Sequence, residues 1–280
     1  PRGMTLDDLQ ALHRWLLGSG RDIHWMNRVR KAVSLIKGGR LAERLAGRPA
    51  VALYLSDVAG DDPTVIGSGL LAADEPRQGS PLDGLPSGLR ERCVAAPPAP
   101  APDAPCFRAL RHRVVASLED ALQAVVRAAR AREHRIKRRG RLSGDAGVQG
   151  KAIGRFLRQA SPGLYLWGGE NTVALPDEPG RGGRAQHLAL AAARELAGCD
   201  DCWLLAAGTD GSDGPGDAAG ALVDGGTVAR GALEGLDARA CLAAADSGRF
   251  LEASGDLIDT GPTGTNVTDL VIACKGGKGA

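Results

Sequence analysis

Apolar residues set the first elements. Leu6, Leu9, Leu12 and Leu16 recur at helical spacing, with Thr5 and Asp8 in capping positions before them and Gly18 after them. A second helical stretch runs from Ile23 to about Leu35, ahead of Lys37-Gly38-Gly39. The short apolar run Val51–Leu55 predicts a strand that leads straight into Ser56, Asp57, Asp61 and Asp62. Acids and glycines just past the carboxyl end of a strand are where open α/β sheets place ligands. Residues 74–112 hold most of the prolines and no period, which predicts an irregular, linker-like segment.

Ser117 and Asp120 predict another capped helix, with Leu118, Ala121, Leu122, Val125, Val126 and Ala129 on one face. Its basic tail, 135–141, is expected to be the solvated end of that helix. Beyond residue 160 apolar runs alternate with glycine loops. Leu164–Trp167 meets Gly168-Gly169-Glu170, and Gly180–Arg184 opens a helix ending near Gly198. Trp203–Ala207 meets Gly208–Asp217, and Asp259–Asn266 precedes Leu270–Cys274. Strands alternating with helices predict an α/β fold.

Composition narrows the function classes. The 280 residues are 43% hydrophobic and 24% charged, ordinary for a globular chain. Forty glycines and only four Trp, two Tyr and three Phe predict a core of Ala, Val and Leu between tight turns. A net charge of +2 argues neither for nor against a nucleic-acid partner, which normally demands clustered basic residues. No apolar run approaches the ~18 residues that span a membrane, and Pro1–Asp8 lacks a leader's apolar core, so a cytoplasmic location is expected. Of six cysteines only Cys199 and Cys202 have suggestive spacing; with no second pair or HxxxH to complete a zinc site, buried or half-buried reduced thiols are expected.

Two nucleotide fingerprints fail on inspection. Gly144–Lys151 carries one residue too many for a P-loop and has Ala152 in place of the metal-binding hydroxyl. Gly67-Ser68-Gly69 is preceded by an acid-rich loop, not a strand, and acids repel a pyrophosphate. Three glycine loops remain. Gly182-Gly183-Arg184 offers backbone N–H groups and a guanidinium fork at a helix start. Gly208–Asp213 adds the carboxylates of Asp210 and Asp213, suited to Mg²⁺ or a hydroxyl proton. Gly261–Asn266 adds neutral donors. No acid lies three or four residues from Arg184, which predicts a guanidinium free for a ligand. Together these describe an anionic small-molecule site with acid groups.

The stretches Gly208–Asp224 and Thr260–Leu270 resemble the signature loops of the MOFRL domain, the C-terminal part of type II glycerate kinases. Asn27–Lys31, Ser34–Ala42 and Ser56–Pro63 resemble blocks of the same family's N-terminal domain, in family order. The resemblance implies two α/β domains: the remnant of a Rossmann-like domain over 1–112, truncated ahead of Pro1, and a C-terminal α/β domain over 113–280 with the MOFRL region at about 162–275. It implies ATP-dependent phosphorylation of D-glycerate at O2, with ATP and Mg²⁺ as cofactors, no nucleic-acid or membrane partner, and room for a homodimer. By the same resemblance Arg184 and Asp210 are the catalytic candidates. Lys37, Asp57, Arg181, Gly182, Gly183, Thr209, Thr263, Thr265 and Asn266 are the candidates for binding substrate or nucleotide, and Asp61 and Asp213 for metal. Ala185 and His187 replace an amide and an acid of the family pattern, Leu70-Leu71 replaces Pro-Thr, and Leu118 stands for a common asparagine. A hydroxypyruvate reductase and a non-catalytic anion-binding remnant are the alternatives.

Overall fold

Thr5 accepts the Asp8 N–H at 3.1 Å while the Asp8 carboxylate takes the Thr5 N–H at 3.0 Å, a reciprocal cap that starts α1 (Leu6–Gly18). Asp22 caps α2 (Ile23–Ala32) through the Trp25 N–H. This helix ends short of Leu35, because the Ser34 hydroxyl accepts the Lys37 N–H and turns the chain. Then follow α3 (Arg40–Arg44), β1 (Ala50–Leu55), α4 (Ser87–Arg90) and β2 (Leu110–Ala116), with β1 and β2 paired in a two-stranded sheet. A Rossmann-like sheet is the expectation for this region; among the described residues it holds this strand pair. Leu12, Leu16, Val29, Val33, Leu82 and Leu85 form the local core. The proline-rich segment is strapped down by the buried Arg40, whose Nε donates to the Pro97 carbonyl at 2.8 Å. The computed structural model describes residues 1, 3–75 and 79–277, so 76–78 of that segment lie outside it.

The chain divides into two units, Pro1–Val115 and Ala116–Ala280. The second opens with the predicted Ser117/Asp120 capping box on α5 (Leu118–Arg130). The basic tail of this helix departs from expectation. Glu133 adopts φ +61°, which ends the helical path, and the cations enter β3 (Ile136–Leu142). This strand is a sheet edge, where charge on both faces discourages pairing with other chains. Arg138 grips Glu119 of α5 from one face. Arg139 stands 4.4 Å from the Phe156 ring on the other.

After β3 come α6 (Ala146–Gln159), β4 (Gly163–Gly169), α7 (Arg184–Leu196), β5 (Cys202–Gly208) and β6 (Gly220–Asp224). The chain closes with α8 (Thr227–Leu233), α9 (Ala238–Ala243), α10 (Ser247–Ala253), β7 (Leu257–Ile258) and β8 (Asp269–Lys275). The sheet runs β3-β4-β8-β5-β6-β7; β3 and β4 are parallel and every other pair is antiparallel. Leu118 and Leu122 of α5 approach Gly168 on one face, while Phe156 of α6 packs edge-on to Tyr165 and Trp167 on the other. Between the sheet and α8–α10, α7 is buried along most of its length, its Ala and Leu side chains meeting Leu204, Val223, Phe250 and Leu251. The false P-loop finds its explanation here. Asp145 caps α6, and Gly150 lies so near α7 that a Cβ would stand 2.2 Å from the Leu188 carbonyl oxygen.

Candidate functional site

Strand register assembles the site. On β8, Asp269 is paired with Gly169 on one side and Gly208 on the other, so three strand ends lie side by side. The loops leaving β4 and β5 and the loop entering β8 therefore meet above Asp269, and α7 begins beside them. They enclose a pocket of about 790 Å³ whose lining includes Glu170, Arg184, His187, Asp210, Asp213 and Asn266.

Arg184 is not unpartnered. Its Nε and Nη2 grip the Asp269 carboxylate at 2.7 and 3.1 Å, and Nη1 donates to Glu170 at 2.5 Å. The expectation of a free guanidinium failed because both partners are distant in sequence, 85 and 14 residues away. A guanidinium has five N–H donors, so one remains on each terminal nitrogen. Burial weakens the Arg184 charge, but the ion pairs with Asp269 and Glu170 outweigh it and hold the group above the ordinary arginine range. Asp269 is 6% exposed at its side chain, and burial pushes its carboxyl up to about 6 against the pull of Arg184.

Asp213 is also committed. Its two oxygens accept the N–H groups of Ala185 and Gln186 at 3.0 and 2.7 Å, capping α7 from a loop 27 residues on. Burial raises its pKa and those backbone donors oppose the rise. The helix terminus expected to receive a ligand anion thus holds a carboxylate of the chain itself, and both oxygens expected to hold a metal serve the helix. Gly182 and Gly183 line the pocket, as expected of binding candidates, and lie close to its other loops: a Cβ would stand 2.5 Å from Ser247 Oγ on the first and 2.3 Å from Asp213 on the second. Their small size closes loop against loop. Arg181 turns away to pair with Glu252 of α10.

Thr209, Thr263, Thr265 and Asn266 knit the neighbouring loops. The Thr209 hydroxyl donates to the Thr268 carbonyl at 2.7 Å and accepts the Val267 N–H at 2.8 Å, and Thr263 Oγ1 donates to the Thr209 carbonyl at 2.6 Å. Thr265 donates its N–H to Thr263 Oγ1, and the Asn266 side chain accepts the Thr268 N–H while facing the pocket. Gly211, at φ +82°, brings the two loops so close that a Cβ would be 2.1 Å from the Gly261 carbonyl oxygen. Asp210 is less engaged: one oxygen accepts the Ser212 N–H, and the other has no hydrogen bond among the described residues.

In the first unit, Lys37 donates to the Gly67 carbonyl at 2.6 Å, its pKa lowered by burial and by Arg30 and Lys31. Asp57 is exposed, and Asp61 holds a left-handed turn at φ +53°. The second unit thus gathers Arg184, Asp210, Asp213 and Asn266 around one cavity. Sequence reading missed Glu170, Asp269 and His187 as site groups. A signal existed for the first two, since each lies at the end of a recognisable strand. His187 sits at the pocket wall with its Nδ1 buried and unbonded, its pKa lowered by burial.

Comparison with known proteins matches residues 163–269 to the MOFRL family and 1–86 to a domain of unknown function, DUF4147. A D-glycerate 2-kinase of Thermotoga maritima is 37% identical, the alignment covering 96% of this chain and 67% of the relative. The chain belongs to the glycerate kinase family. A solved glycerate kinase structure from T. maritima superposes on 98% of this chain and 69% of its own, with a TM-score of 0.81 at 33% identity. A protein of Agrobacterium vitis bearing a provisional hydroxypyruvate reductase name is 39% identical, over 95% of this chain and 64% of the relative. The chain thus spans about two thirds of the length of these family members. That superposition and the mixed sheet seen here establish an α/β fold for the chain.

Proposed function

We propose that this chain serves the ATP-dependent phosphorylation of D-glycerate at O2, with the pocket around Arg184 holding the anionic end of the reaction. The carrying observation is its charge balance. One guanidinium faces the carboxylates of Glu170, Asp210, Asp213 and Asp269. An anionic substrate alone would be repelled by that surplus, whereas a divalent cation held by these carboxylates would restore neutrality. The oxygen donors fit Mg²⁺: Asp210 keeps an unbonded oxygen, and Glu170 is exposed. When bound, Mg²⁺ would neutralise charge developing on the transferred phosphoryl group. Arg184 would orient the glycerate carboxylate or the phosphate through its two remaining N–H groups. Asp210 would hold the metal or take the hydroxyl proton, in place of the committed Asp213. Within the first unit, Lys37 and Asp57 would bind substrate or nucleotide and Asp61 a metal, as the family resemblance implies.

The reductase reading finds less support. Gly67–Gly69 lies in a 3₁₀ turn (Ile66–Ser68) whose backbone is folded on Thr64, not in a strand–turn–helix unit that cradles a dinucleotide. The test supplies D-glycerate with ATP and Mg²⁺, and separately hydroxypyruvate with NADPH. Phosphoglycerate formation abolished by EDTA is expected. Phosphorylation indifferent to EDTA, or oxidation of NADPH alone, would overturn the proposal.

A further inference from the structure

The end of the sheet opposite the pocket carries a second cluster. Cys202 opens β5 and pairs in register with Lys275 of β8. Cys199 closes the turn after α7, where its carbonyl accepts the Cys202 N–H at 3.4 Å. Such a turn brings the two Cα atoms within about 7 Å, close to the ~4.4–6.8 Å span of a disulfide. The two Sγ atoms are 2.8 Å apart. Two thiolates bound to one zinc ion stand about 3.8 Å apart, by tetrahedral geometry at ~2.3 Å per bond. The Lys275 ammonium reaches Asp201 Oδ1 at 2.6 Å, Cys202 Sγ at 3.5 Å and Cys199 Sγ at 3.8 Å. A grouping of Cys199, Asp201 and Cys202 would suit a soft metal by composition. Here the chain's own cation already lies among its ligands.

We infer that Cys199 and Cys202 form a reversible disulfide, oxidised by hydroperoxides and reduced by dithiols, with Cys199 attacking and Cys202 resolving. The division of labour follows access: Cys199 is partly exposed, whereas Cys202 is fully buried. Burial, and then the hydrogen bond with Cys199, pushes the Cys202 thiol up to about 12, so it reacts second. Lys275 Nζ lies 3.8 Å from Cys199 Sγ, and the thiolate is the form of a cysteine that acts as nucleophile. That thiolate attacks one oxygen of hydrogen peroxide; the O–O bond breaks, the departing hydroxide takes up a proton and leaves as water, and Cys199 becomes a sulfenic acid. Cys202 sulfur then attacks Cys199 sulfur, its thiol proton joins the departing hydroxyl, and a second water is released. Two thiols and one peroxide give one disulfide and two waters. A dithiol returns two electrons and two protons in the reverse direction.

The test treats the full chain with hydrogen peroxide and maps its peptides by mass spectrometry without reduction. A loss of two hydrogens confined to the peptide holding Cys199 and Cys202, restored by dithiothreitol, is expected. Cys202→Ser should stop at a sulfenic acid on Cys199 that dimedone traps, and Cys199→Ser should leave Cys202 unmodified. Persistence of both thiols under peroxide overturns the inference, as does a bridge to Cys93, Cys106, Cys241 or Cys274. Stoichiometric zinc binding lost in both serine variants, with no disulfide formed, would replace it with a metal site.

Discussion

Arg184 shows how a residue's setting changes what its substitution tests. Were it free, Arg184→Lys would alter catalysis with stability nearly intact. Because it neutralises a buried Asp269, removing its charge strands a carboxylate. Arg184→Met should destabilise the fold by about 3 kcal/mol in urea titration. Arg184→Met with Asp269→Asn should recover most of that loss, and failure to do so would show that the two act separately. Asp269 also has a pH signature. Its folded pKa of about 6 lies above the unfolded value near ~3.9, so between these values the folded state binds more protons. Stability from this group is therefore greatest at the acid end and falls as pH rises toward 6, by about 1–3 kcal/mol in all. Comparing melting temperatures of the wild type and Asp269→Asn from pH 4 to pH 6 isolates it, and the wild type should gain on the variant as pH falls.

At the scale of elements, the α6–α7 pairing depends on absent side chains. Gly150 and Gly154 place backbone against backbone: a Cβ would come within 2.2 Å of the Leu188 carbonyl oxygen on the first and 2.8 Å of Glu195 Cβ on the second. Both helices are interior-facing and closely packed, so neither can yield cheaply. Gly150→Ala should cost about 1–3 kcal/mol by overpacking, despite alanine's better helix propensity. An exposed control, Gly144→Ala, carries no such clash, although its φ of +74° adds backbone strain. Chemical denaturation of the two variants distinguishes crowding from strain. A Gly150→Ala protein as stable as the wild type would mean that the helices separate freely. The edge strand β3 makes a related point. Its cations could equally end a helix, and the left-handed turn at Glu133 decides the outcome.

At the scale of the molecule, the second unit owns the larger core. Leu188, Leu190, Leu196, Leu204, Phe250 and Leu251 are all at or below 1% exposure within Ala116–Ala280. The candidate pocket is lined wholly by residues of this unit. Residues 116–280 expressed alone should unfold in a single cooperative transition, followed by circular dichroism, with slowest amide exchange in β5 and β8. A non-cooperative melt would show that this core requires the first unit. Among the described residues no helix is long and apolar enough to cross a membrane.

Local rules within one or two turns of chain were legible in the sequence. The Thr5 and Ser117 capping boxes, the apolar runs of β1, β4, β5 and β8 and the glycine loops all depend on residues a few positions apart. Family blocks identified from the loops pointed to the glycerate kinases before any geometry was known. What sequence could not decide was pairing over distance. It left β6 unseen inside a loop motif, assigned the cations of β3 to a helix, and offered Arg184 and Asp213 to ligands. Sheet register places Asp269 under Arg184, and loop closure places Asp213 on the α7 terminus. A charge's partner is set by three-dimensional proximity in a low-dielectric site, and neither spacing nor residue type encodes that.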